Sequence, residues 1–429
     1  MSFTEQHPAF LKTAGGPDWL CELRNAGIAR FAKLGFPTTR DENWRFTDVS
    51  LIRQTTFTPA TPGACDVAGL LQSSGCGDWP GHRLVFIDGV FAPDQSDIGA
   101  LPAGVHLGGL ADMLAETPEA LQPHLGTGAV VNGNSFTALN TGYIRDGAAI
   151  LVPDNIDGSA AVNVWYISTG ATANAVTQPR TLIVVGRNSN LTVTENYVGT
   201  GNACYFTNAV TEVMLAENAV IDHTKMQLES ETAYHIAAMH VHAARDSRFK
   251  SHAVTTGGEI TRNTINAQLD GENIECTLNG LYLGHGRQLI DNHTCVEHAH
   301  PNCNSYEIYK GILDDKARGV FNGRIHVWQD AQKTDALQTN RALLLSDDAR
   351  VDTKPELEIY ADDVRCTHGA TIGQLDEVGL FYLRSRGIDT ETARGILTYA
   401  FACEAVTDIE SKPVRDTIEQ FLIDRYRQL

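Results

Sequence analysis

Between residues 145 and 372, apolar and β-branched positions alternate with polar ones in a period of two. The runs TLIVVG, LTVTENYVG, AVTEVMLAENAVID, HIAAMHVHAA and LEIYADDVRC each fit a half-buried strand, because successive side chains of a strand leave opposite faces. No convincing helical period breaks into this stretch. Turn-like fragments recur instead: LAENAVI at 215, HAARDSRF at 242, LDGENIE at 269, LGHGRQL at 283, LDDKARG at 313, WQDAQKT at 328, LSDDARV at 345 and ADDVRCT at 361. They lie roughly 14 to 30 residues apart, a spacing that suits a solenoid whose coils bury their inner faces only against their neighbours. A long β-sandwich is the other all-β solution, and it would show more two-residue hairpin turns. The pattern favours a β-helix.

The flanks read differently. They divide the chain into an N-terminal mixed helical and β region (1–144), the β-helix core (145–372) and a C-terminal helical region (373–429). In GPDWLCELRNAGIARFAKLGFP, Pro17 and Asp18 mark a helix start and Gly35 a stop. Residues 82–94, HRLVFIDGVFAPD, read as a hairpin turning at Asp88–Gly89, with loops expected at 58–63 and 75–81. Near the C-terminus, GQLDEVGLFYLRSRG ends at Gly387, and Asp389 can cap the next helix. Pro413 then opens a last helix whose Val414, Ile418, Phe421 and Leu422 share one face. Three short helices after a solenoid suit either a cap over its exposed edge or a docking surface.

Composition narrows the function. The chain has 429 residues, with 33 Lys and Arg against 52 Asp and Glu, a formal charge of −19. That balance is poorly suited to holding a phosphate backbone, and no Lys/Arg run appears, so nucleic acid is not an expected partner. No apolar stretch approaches the ~20 residues of a membrane span, and MSFTEQHPAF has the features of no signal peptide. Nine scattered cysteines without a CxxC pair read as reduced thiols in a cytoplasm.

Familiar catalytic signatures are missing: no G-x-x-x-x-G-K-[ST], G-x-S-x-G, H-E-x-x-H or G-x-G-x-x-G occurs. Histidine, however, is concentrated, with eleven of fifteen between His223 and His368. In DNHTCVEHAHPNC, a strand would put His293 and Cys295 on one face, and would likewise pair His298 with His300; Cys303 follows. Imidazole and thiolate suit zinc or iron, yet the spacing matches no zinc module, and polar stacks inside a solenoid are the alternative. In YADDVRCTHGATIG, Cys366 and His368 share a strand face roughly 6–7 Å apart. Two ligands leave a tetrahedral ion incomplete, so such a site needs more residues or a second chain. Asp362 and Asp363 are the only carboxylate pair beside them, and strand neighbours facing opposite ways are poor general acid/base partners. A β-helix carbohydrate-active enzyme is therefore a weak alternative, as is a stand-alone metal-binding β-helix protein built on residues 293–303.

The run KTDALQTN, then KPELEIYADDVRCTHGAT, then LFYLRSRGI closely resembles the SufB/SufD family, scaffold subunits of the SUF iron–sulfur cluster assembly machinery. HTCVEHAHPNCNSYEIYKGIL fits the same pattern, and DENWRFTDVS resembles the family's N-terminal E-x-W-[RK]-[FY]-T signature. Where the SufB type carries a cysteine and a glutamate, this chain has Asn340 and Gly369, which favours the SufD branch. The resemblance implies a mainly β fold, a right-handed parallel β-helix flanked by an N-terminal α/β region and C-terminal helices. It implies SufB and the SufC ATPase as partners and no nucleotide or catalysis of the chain's own; separately, an open edge strand near DVRCTHGAT would permit a homodimer when SufB is absent. It implies a transient iron–sulfur cluster shared with the partner, with His368 and Cys366 at the interface where that cluster forms. It also places SufC on the C-terminal helices, with Leu380, Phe381, Tyr382, Leu383, Ile396, Tyr399 and Phe401 as candidates.

Overall fold

The computed structural model describes residues 2–77, 79–129, 133–157 and 161–427. The chain is mainly β, a parallel solenoid of about 8 turns with helices before and after it. Among the described residues two sheets face each other, one of 11 strands and one of 10. Each turn of the chain adds one strand to each sheet, and neighbouring turns pair in parallel. The side chains therefore form columns. Val213, Val241, Ala267 and Val296 stack one per coil in the apolar core, as the period-two pattern requires.

The recurring turn fragments are the corners of these coils. Asn218, Asp246, Asn273, Asp315 and Lys333 each adopt positive φ there. Asn and Asp tolerate the left-handed region better than most residues. Asn side chains also tie one corner to the next, with Asn218 Nδ2 donating to Asn188 Oδ1 at 3.0 Å and Asn188 Nδ2 to Asn155 Oδ1 at 2.9 Å. The run LEIYADDVRC is two strand ends joined by such a corner: one strand closes at Ile359 and the next opens at Arg365. Asp362 and Asp363 lie in the turn between them, so they are not strand neighbours.

Much of the histidine concentration serves the interior. Lys225 Nζ lies 2.9 Å from His235 Nε2 and 2.7 Å from Asn263 Oδ1, while His235 Nδ1 meets Glu229 at 2.6 Å. His223 Nε2 meets Glu195 at 3.0 Å. All five ionisable groups are buried, and each is paired, which is the condition under which burying charge is tolerated.

The N-terminal region covers the outer face of the larger sheet. Helix Asp18–Leu34 begins after Pro17 and ends at Gly35, with φ of 67°. Strands His82–Ile87 and Val90–Phe91 form the expected hairpin, with Asp88 and Gly89 both at positive φ. One expectation fails here: within the loop read at 58–63, Thr58–Pro59 pair in parallel with Ala175–Thr177. The ENWRFT segment acts as a latch. The Arg262 guanidinium sits 3.8 Å from the Trp44 ring centroid and donates to Asn43 O at 2.6 Å and Asp291 Oδ2 at 2.7 Å. Thr47 also donates to Asp291, whose carboxyl stays at about 2: burial pushes it up, but Arg262, His293 and Thr47 outweigh that.

The C-terminal helices Glu377–Ser385, Thr390–Cys403 and Lys412–Arg427 do not cap the solenoid. They lie along its flank. Ala402, Val406, Ile409, Val414, Ile418 and Leu422 pack on Met226, Val254, Leu281, Leu283, Ile312 and Leu343, outward positions on five successive strands of the smaller sheet. The cap reading fails because this apolar outer stripe is the surface that matches theirs. Lys310, in line with Leu281, closes the seam by pairing with Glu404 under the Phe401 ring. Among the described residues, the last strand of each sheet, Arg350–Ile359 and Arg365–Gly373, therefore has a strand neighbour on one side only.

Candidate functional site

His368 and Cys366 stand on that final strand, in columns that run back into the solenoid. Leu278, Glu307, Gln338 and His368 are successive Cα partners, as are Cys276, Ser305, Ala336 and Cys366. The two residues thus share a strand face, as their spacing predicts. Their surroundings differ. His368 is exposed at the open end. Cys366 is half-buried against an apolar cluster of Ile325, Val327, Ala331, Ala336 and Ala361. Burial there, and secondarily Asp335, pushes its thiol up and away from the thiolate form.

Beneath His368 the column is polar. Gln338 Nε2 and the Thr294 hydroxyl both donate to Glu307 Oε2, at 2.8 and 3.0 Å. Burial raises the Glu307 carboxyl to about 7, more than those two hydrogen bonds lower it. A carboxyl raised on folding stabilises the fold at low pH, and that stability is lost as pH climbs from about 4.5 to about 7. Glu307→Gln mimics the neutral acid. We expect it to raise unfolding stability at pH 8 by about 2–3 kcal/mol more than at pH 5. Urea denaturation at the two pH values measures this, and an equal effect at both would mean that the side chain is not held protonated.

The 293–303 stretch separates into unrelated environments. His293 and Cys295 face outward, His293 2.9 Å from Asp291 and the Cys295 thiol 3.3–3.4 Å from the Arg324 guanidinium. His298, an odd number of residues further along the strand, faces inward, and its Nε2 meets Ser305 Oγ at 2.9 Å. Burial lowers it to about 4. The strand ends at His298, so His300 lies in the following turn, near Asp270, and the expected pairing of 298 with 300 does not form. Cys303 is buried with its thiol toward Gly271 O at 3.1 Å. Among the described residues no group of three or more His, Cys, Asp or Glu side chains is placed to hold a metal ion.

With this geometry in view, comparison with known proteins gives two family matches: "SUF system FeS cluster assembly, SufBD core domain" over residues 166–401, and "SufBD protein N-terminal region" over residues 3–164. The chain belongs to the SufB/SufD family. A SufBD family protein of Synechocystis sp. is 33% identical over 410 residues, covering 94% of this chain and 90% of its own length. The iron–sulfur cluster assembly protein SufD of Escherichia coli is 32% identical over 397 residues, covering 91% and 89%. The chloroplastic protein ABCI7 of Arabidopsis thaliana is 30% identical over 405 residues, covering 92% and 84%. The SufB/SufD family works in iron–sulfur cluster assembly by the SUF system, and that role extends to this chain. No helix among the described residues is long and apolar enough to cross a membrane.

In this SufB/SufD chain the first C-terminal helix stands proud of the flank. Asp376 caps it through Val378 N and Gly379 N, and none of its residues is buried. Phe381 is 74% and Tyr382 55% exposed. Leu380 and Leu383 are half-buried, as are Ile396, Tyr399 and Phe401 on the next helix. Phe401 is engaged with Lys310, so its ring already has an intramolecular role. Sequence reasoning missed Val378, 75% exposed, although its spacing from Phe381 and Tyr382 puts all three on one helix face. It also missed Gln338, which only the coil register brings under His368.

Proposed function

We propose that this chain is the SufD-type half of a SufB–SufC–SufD assembly, a non-catalytic scaffold on which an iron–sulfur cluster is built as cargo. The observation that carries the reading is the uncovered last coil. It presents His368 and Cys366 on an edge that can pair with another chain, while no complete ligand set is placed among the described residues. The missing ligands would come from SufB, and a second copy of this chain would take the same edge when SufB is absent. Residues 1–144, 145–372 and 373–429 act as latch region, β-helix and docking region. SufC would seat on the exposed helix face and supply ATP hydrolysis, so this chain needs no nucleotide of its own. The setting is cytoplasmic.

Of the two candidates, His368 is favoured as a ligand, since it is exposed at the edge whereas Cys366 is packed. Co-expressed with SufB and SufC from the same source, His368→Ala should leave the mass of the complex unchanged by light scattering. Cluster yield under anaerobic reconstitution should fall at least about tenfold, the scale on which metal sites respond to lost support. Full cluster yield in an intact variant complex would remove His368 from the site.

A further inference from the structure

The column beneath His368 contains two buried acceptors without a partner among the described residues, Glu307 Oε1 and, one coil nearer the edge, Gln338 Oε1; the second is the one next to His368. Gln338 is fully buried, and its Nε2 is committed to Glu307 Oε2 at 2.8 Å. Its Oε1 is also buried and has no hydrogen-bond partner. Leaving a buried carbonyl unpaired is costly, so an arrangement that retains one calls for a donor. The amide cannot easily turn away to find another. It lies against Gly323 on the facing sheet, where a Cβ would stand 2.2 Å from Nε2 and 2.6 Å from Cδ. Glycine at 323 is therefore what makes room for the amide, and Glu307 fixes which end faces backward. The neighbouring amide in the next column, Asn340, already donates to Thr353 Oγ1 at 3.0 Å. The next side chain after Gln338 in its own column is His368, and among the described residues no strand lies beyond it.

We propose that Gln338 is a positioning residue for His368, its Oε1 accepting one imidazole N–H and so fixing which ring nitrogen stays free as a ligand. The inference rests on reading His368 as a cluster-assembly residue. A neutral imidazole has one donor and one acceptor nitrogen, and the partner of the first decides which is left for a metal. His368 is exposed on the last strand of its sheet and its Cα is the register partner of Gln338, so the two side chains are column neighbours.

The test reads the ring directly. The full-length chain, labelled with carbon-13 and nitrogen-15 in histidine, is recorded at pH 8, and the His368 signals are assigned by their loss in His368→Ala. Gln338→Leu should move the His368 tautomer ratio by about fivefold, the equivalent of about 1 kcal/mol for one hydrogen bond. Gly323→Ala should move it in the same sense, since the added methyl displaces the amide without altering its chemistry. A structural role for Gln338 would change stability but leave the tautomer ratio alone. Ratios equal to wild type in both folded variants would overturn the proposal. That outcome is separate from the cluster-yield test of His368→Ala, which judges the site itself.

Discussion

Replacing Glu212 by alanine should cost about 3–5 kcal/mol of stability, the range found when one member of a buried ion pair is removed. Glu212 and Arg180 are both fully buried. Glu212 Oε1 accepts from Arg180 Nε at 2.9 Å and Nη2 at 2.6 Å, and from Gly126 N at 2.9 Å. Its Oε2 accepts from the backbone of Gly128 and Ala129, each at 3.0 Å. Alanine would leave a buried guanidinium whose remaining side-chain partners among the described residues are Asn140 and Thr141, and would free the backbone donors of Gly126, Gly128 and Ala129. Glu212→Gln retains the acceptor but not the charge, so its loss should be smaller. Urea unfolding of both variants measures the difference. A loss below about 1 kcal/mol for alanine would show that water or rearrangement satisfies Arg180.

The second large effect is expected on association. Val378→Asp combined with Phe381→Asp should weaken SufC docking at least about 30-fold, since apolar anchors at the centre of an interface are commonly worth 2 kcal/mol or more. The thermal midpoint of the isolated chain should stay where it is, because both side chains are mostly exposed and support nothing in the monomer. Light-scattering mass of the co-expressed complex gives the readout. Undiminished SufC in the complex would move the docking face elsewhere. Deleting residues 374–429 is a poorer test, because it would also uncover Leu281, Leu283 and Ile312.

The solenoid was readable because each coil repeats the same two demands, an alternating strand and a corner that accepts positive φ. Asn218, Asp246 and Asn273 mark those corners in the sequence as clearly as in the fold. The position of the C-terminal helices was less readable. An amphipathic helix reveals which face is buried but not what covers it. Its complement was present in the strands: LYL (281–283) and GIL (311–313) are apolar or small on both faces, the mark of a sheet covered on both sides. The expected pairing of His298 with His300 failed for a different reason. Its spacing is regular, but the strand stops at His298, and a ligand pair that spans a strand end loses its geometry. Gln338 was invisible because nothing local connects it to His368; 30 residues of chain separate them and one coil brings them together.

The one-sided stacking of the final coil has an energetic consequence. In a linear array whose members touch only their nearest neighbours, stability is a sum of unit and interface contributions, and the terminal unit has one interface where an inner unit has two. The coil bearing His368 is therefore the place where the array opens most readily, and amide hydrogen exchange should be fastest there among the last coils. A chain that seats on this edge supplies the missing interface. Order at His368 and occupancy of the edge are then a single equilibrium, so the site becomes rigid only in the company that completes it.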